Sequence, residues 1–286
     1  MKNTPVDRFI QIGNRRFHYL DWDAGGEGAV MLLLHGIGDD AHVWDHFAGY
    51  ASRSRRIIAL DQRGHGKSDW AVPPAYRGDD YVADLDGLVN ALQLTNIVLM
   101  GHSMGALHAT RYAALRPEKA AALIHADIEP CPPEWNKKYL TNLYERLPFD
   151  YASIDEYVEE MRKNSPYADD ETLFRIAAFA LAAGTGGRLR VRYDREVLAH
   201  FDRYDLRSCL GQIRCPALIV RGAESRVMSE AAAREMCGAI PRGEFAEIPM
   251  AAHPVHTDNP EGFARAVLAF LDEICPASCR RSANIR

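Results

Sequence analysis

The stretch Ile97 to Gly105, IVLMGHSMG, limits what this chain can fold into more than any other. Ile97 to Met100 is a continuous apolar run, as in a strand covered on both faces, and Met104 to Arg116 reads as a helix that Pro117 stops. The chain must therefore turn from strand to helix over Gly101-His102-Ser103-Met104-Gly105, with Ser103 at the apex. Such a turn is strained and lifts the Ser103 hydroxyl off the sheet edge. Side chains two positions to either side would collide, which accounts for glycine at 101 and 105.

A strand of this kind needs neighbours, and the sequence supplies them as apolar runs alternating with helix-period segments. Arg8 to Gly13 and Arg15 to Trp22 alternate as a hairpin with Gly13-Asn14 at its turn. Val30 to Leu34, Ile57 to Leu60, Ala122 to Ala126, Ala217 to Arg221 and Phe245 to Pro249 read as buried strands. Asp79 to Leu94 reads as a helix with Val82, Leu85, Val89 and Leu92 on one face. Asn259-Pro260 opens a last helix bearing Phe263, Val267, Phe270 and Ile274.

Between Cys131 and Ser208 the pattern is helical or irregular and rich in aromatics, among them Trp135, Tyr139, Tyr144, Phe149, Tyr151, Tyr157, Phe174, Phe179, Phe201 and Tyr204. The expected organisation is an α/β core from residues 1–130 and 209–275, a helical cap from 131–208, and a frayed tail over 276–286.

Composition removes several function classes. With 34 basic and 39 acidic side chains the net charge is −5, which leaves no basic footprint for nucleic acid. The longest apolar runs, Ala29 to Leu34 and Ile176 to Ala183, are far below the roughly 20 residues that span a bilayer. The opening MKNTPVDRFI lacks the apolar stretch of a signal peptide, and the six cysteines form no CxxC pair or zinc spacing. Reduced thiols, a cytoplasmic location and a small-molecule substrate are expected.

A serine hydroxyl attacks only when a base takes its proton. Of the histidines after Ser103, His253 and His256 follow the last strand, and His253 lies in a short alanine-rich loop that suits the base. His256 is expected to be a solvated or helix-capping neighbour. A metal at His253 and His256 would need more ligands than Asp258, so none is expected.

Five segments in order, LLLHGIGDDAHVW (Leu32 to Trp44), DQRGHGKSD (Asp61 to Asp69), GHSMGA (Gly101 to Ala106), PALIVRG (Pro216 to Gly222) and AAHPVHTDNPEGF (Ala251 to Phe263), resemble the α/β-hydrolase superfamily over about residues 8–275. The resemblance implies a mostly parallel eight-stranded sheet flanked by helices, with a helical cap insertion. It also implies an oxyanion hole from the backbone N–H groups of Ile37 and Met104, and a substrate contact from His102. It implies that Asp39, Asp40, His42, Asp45 and His46 are solvated loop residues rather than a metal site, and that His65 and Lys67 belong to a structural turn.

The acid departs from the family's common pattern. Most relatives carry aspartate where this chain has Ser225. Glu224 is one residue away, and Asp127 ends the strand Ala122 to Ala126 on the edge that carries Ser103. The chain is similar here to a subgroup with the acid after the earlier strand and serine in the later loop, which favours Asp127 with Glu224 as the alternative. In one member of that subgroup arginines of the cap receive substrate carboxylates, so Arg188, Arg190 and Arg192 are candidates for an anion clamp.

Relatives that act as dehalogenases or epoxide hydrolases carry aspartate at the elbow, where this chain has Ser103. The expected activity is a serine hydrolase acting on a carboxylic ester, lactone or amide through an acyl-enzyme. The alternatives are cleavage of a vinylogous amide or of a C–C bond next to a carbonyl, a cofactor-free dioxygenase, and a ligand-sensing receptor of the same fold. No cofactor motif is present, and none is expected.

Overall fold

The computed structural model describes residues 4–23, 29–135, 138, 142, 146–200 and 205–274. The hairpin forms as β1 (Val6–Ile12) and β2 (Arg15–Trp22), paired antiparallel across Gly13, whose φ is +59°. There follow β3 (Met31–Leu34), α1 (Asp45–Ala51), β4 (Ile57–Leu60), α2 (Gly78–Ala91), β5 (Ile97–His102), α3 (Met104–Leu115) and β6 (Ala120–Ala126). The segment between β6 and the next core strand holds β7 (Asp150–Tyr151), α4 (Ile154–Asn164), α5 (Asp170–Ala180), β8 (Leu181–Ala183), β9 (Leu189–Val191) and α6 (Glu196–Ala199). The chain then returns through β10 (Ala217–Gly222), α7 (Glu230–Ala239), β11 (Gly243–Ile248), α8 (Val255–Asp258) and α9 (Pro260–Ile274).

Eight strands form one sheet in the order β1-β2-β4-β3-β5-β6-β10-β11, in which only β2 runs against the rest. The continuous apolar runs have the cause expected of them, because alternate residues feed two cores. Leu32, Leu34, Ile97, Leu99 and Ile219 face a core shared with Leu85 and Val89 of α2 and Tyr112 of α3. Met31, Leu33, Val98, Met100 and Val220 face the other, with Phe47 of α1 and Phe263 and Val267 of α9. Parallel strands all end on one edge, where Ser103, Asp127 and the loops after β3, β10 and β11 gather.

The expectation of only helical or irregular structure over 131–208 is corrected. β7, β9 and β8 form a small antiparallel sheet. Its period-two signal is short: Val191 and Tyr193 are buried, while Arg188 and Arg190 are exposed. Helices α4 and α5 start at Ser153 and Asp169, whose side chains accept from the N–H groups of Glu156 and Thr172 at 3.2 and 2.7 Å. Tyr139, Tyr144, Phe201, Tyr204 and the tail 276–286 lie outside the described residues. Cys131, Cys209, Cys215 and Cys237 are free thiols, and among the described residues no helix is long and apolar enough to cross a membrane.

The polar residues of the loop after β3 are also corrected. Asp40 and His42 are buried, and Asp40 accepts from the His42 N–H at 2.8 Å to start the 3-10 turn Ala41–Trp44. The His42 ring stacks on Phe179 of α5 at 3.4 Å. His256 is neither solvated nor capping. It is 3% exposed and sandwiched between Trp44, 4.5 Å away, and His102, 4.6 Å away. The helix cap belongs to Asn259, whose Oδ1 accepts from the Gly262 N–H at 2.9 Å.

Several imidazoles are held neutral by burial, with His65 and His256 pushed down to about 3 and His125 to about 4. The unfolded chain takes up these protons near 6.5, while the folded chain resists until far lower pH. Stability present above pH 6.5 is therefore lost progressively as pH falls towards 3. His256→Phe, which keeps the stack on Trp44, is expected to reduce the loss between pH 7.5 and 5 by on the order of 2 kcal/mol, read from urea unfolding at both pH values. Leu99→Ala, at a fully buried position of a central strand, is expected to lower the unfolding free energy by about 2–5 kcal/mol at neutral pH.

Candidate active site

Ser103 stands between β5 and α3 with φ at +52°, a strained conformation for a residue with a side chain. A Cβ on Gly101 would sit 2.2 Å from the Gly105 carbonyl oxygen, and one on Gly105 would sit 2.4 Å from that of Leu34. Only glycine at both positions lets the turn close. The Ser103 N–H donates to the Ala126 carbonyl at 2.9 Å, which ties the elbow to the end of β6.

Asp127 is the next residue of that neighbouring strand end and also has a positive φ, +54°. Its N–H donates to the Val220 carbonyl of β10 at 2.9 Å. The carboxylate is fully buried and accepts from the Ser225 hydroxyl at 2.5 Å, the Gly222 N–H at 3.0 Å and His253 Nδ1–H at 2.7 Å. The opposite ring nitrogen, His253 Nε2, lies 3.0 Å from Ser103 Oγ. Glu224 makes no such contact: its side chain is exposed, although the residue lines the same cavity. Ser225 is visible in the sequence only as a departure from the usual aspartate, and its hydroxyl is what fills the space beside Asp127.

The His253 loop is fixed from three sides. Asp258 accepts from the N–H groups of Ala252 at 2.8 Å and Tyr167 at 3.3 Å, so it joins this loop to the segment between α4 and α5. The Glu224 N–H donates to the Ala251 carbonyl at 2.9 Å. His102 Nε2–H donates to the His253 carbonyl at 2.9 Å, and the two rings lie 4.6 Å apart. His102 is 3% exposed, and burial holds its imidazole neutral, well below the usual histidine range.

The loop after β3 is held by neutral histidines. His65, in the turn expected for it, accepts from the Gly38 N–H at 3.1 Å and donates to the Arg63 carbonyl at 2.9 Å. His35 donates to the Gly36 carbonyl at 2.7 Å and accepts from the Gln62 N–H at 3.0 Å. These bonds place Ile37 against the cavity beside Ser103, while Met104 begins α3, whose N-terminus directs positive dipole at the same point.

A cavity of about 880 Å³ opens above Ser103 and His253. The core contributes Gly36, Ile37 and Asp39, and the segment between β6 and β10 contributes Tyr151, Tyr157, Ile176 and Tyr193. Asp39 escapes notice as a cavity residue in the sequence, because an Asp-rich loop after a strand looks solvated until the chain is folded over it. Burial pushes the Asp39 carboxyl up to about 6.

Arg188, Arg190 and Arg192 are not among the lining residues. Arg188 donates to the Asp150 carbonyl, Arg190 lies over the Phe149 ring at 4.4 Å, and Arg192 donates to the Leu181 carbonyl at 3.1 Å. The alternation of β9 turns Val191 to the cavity and these arginines away. Among the described residues the Lys and Arg side chains that do line it are Lys163 and Arg226. Among the described residues no group of three or more His, Cys, Asp or Glu is placed to hold a metal ion.

The family model for the alpha/beta hydrolase fold matches residues 29–260. The 2-(acetamidomethylene)succinate hydrolase of Mesorhizobium japonicum is 30% identical over 253 residues, covering 86% of this chain and 89% of that protein. The N-formylmaleamate deformylase of Pseudomonas putida is 28% identical over 265 residues, covering 90% and 93%. A crystal structure of E-2-(acetamidomethylene)succinate hydrolase superposes with a TM-score of 0.85 at 26% identity, over 94% of this chain and 99% of that one. The family-model match over most of the chain, together with the 30% identical relative, shows that the chain belongs to the α/β-hydrolase family.

Proposed function

We propose that this protein is a serine hydrolase that cleaves a carboxylic ester, lactone or amide through an acyl-enzyme, with Ser103 as nucleophile, His253 as base and Asp127 as the acid that orients it. The observation that carries this reading is the unbroken line from Ser103 Oγ to His253 Nε2 at 3.0 Å and from His253 Nδ1 to Asp127 at 2.7 Å, at the floor of a cavity. Asp127 fixes the tautomer that leaves Nε2 free to accept a proton and stabilises the imidazolium that results. Relatives named for acetamido and maleamate compounds favour an amide among these substrates.

In the forward step Ser103 Oγ attacks the carbonyl carbon as its proton passes to His253 Nε2. The N–H groups of Ile37 and Met104 hold the oxyanion, a contribution worth roughly 10²–10³ in rate for each donor. His253 then gives its proton to the leaving amine or alkoxide. Water, deprotonated by the same nitrogen, attacks the acyl group and Ser103 leaves with its proton restored. Residues 131–208 act as the cap that roofs the cavity and selects the acyl and leaving groups.

Ser103→Ala and His253→Ala are each expected to lower turnover of a p-nitrophenyl ester by roughly 10⁴-fold or more, with the fold retained by circular dichroism. Ser103 is expected to be the residue labelled by a fluorophosphonate. Asp127→Asn is expected to cost about 10³–10⁴-fold and Glu224→Gln less than about threefold; the reverse order would move the acid to Glu224. Ser225→Ala, which removes the shortest bond to Asp127, is expected to lower kcat about tenfold.

A further inference from the structure

The cavity carries a polar pair that the proposed triad does not use. Tyr157 projects from α4 into the cavity, and its ring is fixed edge-on against Tyr151 at 4.9 Å. Among the described residues its hydroxyl has no hydrogen-bond partner. Burial raises the phenol well above its ordinary range, so it stays neutral and keeps its donor proton. The charge acting on it most strongly is that of Asp39. Asp39 lines the core side of the same cavity, two residues beyond Ile37. Both side chains are half-buried, so the phenol donor and the carboxylate lone pairs face the cavity, where a ligand that displaces water must offer them partners in its place.

On the serine-hydrolase reading above, we infer that Tyr157 and Asp39 form a polar subsite beside Ser103 that selects acyl groups bearing a neutral hydroxyl or carboxamide and rejects those bearing a carboxylate. The phenol donates to the oxygen of that group while the Asp39 carboxylate accepts its O–H or N–H. A substrate carboxylate at this point would lack a proton for Asp39 and would meet its like charge at close range, which disfavours it. Of the cations Lys163 and Arg226 that also line the cavity, Lys163 is already paired with Glu160. A site that hydrogen-bonds a substrate hydroxyl discriminates against the analogue lacking it, because its own polar groups are then left unpaired.

Three p-nitrophenyl esters test the subsite: butanoate, 3-hydroxybutanoate and hemisuccinate, with kcat/KM measured at pH 7.5. The native enzyme is expected to prefer 3-hydroxybutanoate over butanoate by about tenfold or more and to hydrolyse hemisuccinate most slowly. Tyr157→Phe is expected to bring the hydroxybutanoate-to-butanoate ratio close to one, and Asp39→Asn to raise hemisuccinate relative to butanoate by about tenfold or more. Tyr50→Phe, on the exposed face of α1, is the control and leaves all ratios in place. Ester release with ratios unmoved in both variants overturns the subsite alone. Release from none of the esters, with Ser103 unlabelled by a fluorophosphonate, overturns the hydrolase reading and the subsite together.

Discussion

At the end of β6 the Asp127 carboxylate accepts from the Ser225 hydroxyl, the Gly222 N–H and His253 Nδ1–H while fully buried. A buried carboxylate without donors costs several kcal/mol, so these three bonds and the elements that bring them are interdependent. β10 must lie beside β6 to deliver Gly222 and Ser225, and the loop after β11 must fold back to deliver His253. The backbone bonds Ser103 to Ala126 and Asp127 to Val220 set the height of the two strand ends relative to each other. Strain is stored at the same place, in the positive φ of Ser103 and Asp127, and the ladders on either side hold it.

Around this centre the fold uses histidine as a neutral structural residue. His35 and His65 each donate from one ring nitrogen and accept at the other, which rigidifies the loop that carries Ile37. His102 holds the backbone of His253 and packs with His256 above Trp44. Such groups supply fixed dipoles without adding charge, and they bring a liability to acid. The segment between β6 and β10 is fastened to this framework at several points, through Asp258 to Tyr167, His42 to Phe179, and Tyr76 to Asp194 at 2.6 Å. These fastenings join roof and floor into one cavity.

Much of the core was legible because its signals are local. Apolar runs without alternation identify strands covered on both faces, and the two glycines around Ser103 report a backbone approach that no other residue permits. The small sheet β7-β9-β8 was not legible, since strands of two or three residues carry at most one full alternation. Arg188, Arg190 and Arg192 read as a clamp because sequence spacing shows that they share a face but not which way the face points. His256 and Asp40 read as solvated because a polar residue in a loop gives no sign that other elements will cover it.

The sequence by itself determined the layered α/β architecture and the elbow at Ser103, and it singled out His253 as the candidate base, because each depends on residues close along the chain or on motif order. It left two carboxylates as candidate partners for that histidine. Only the tertiary structure placed Asp127 rather than Glu224 against His253, turned the three arginines outward and set Asp39 in the same cavity as Tyr157. Those outcomes depend on which strand ends are neighbours and on the twist of a short strand far away in sequence. Pair distances of that kind are fixed by packing, and no local pattern encodes them.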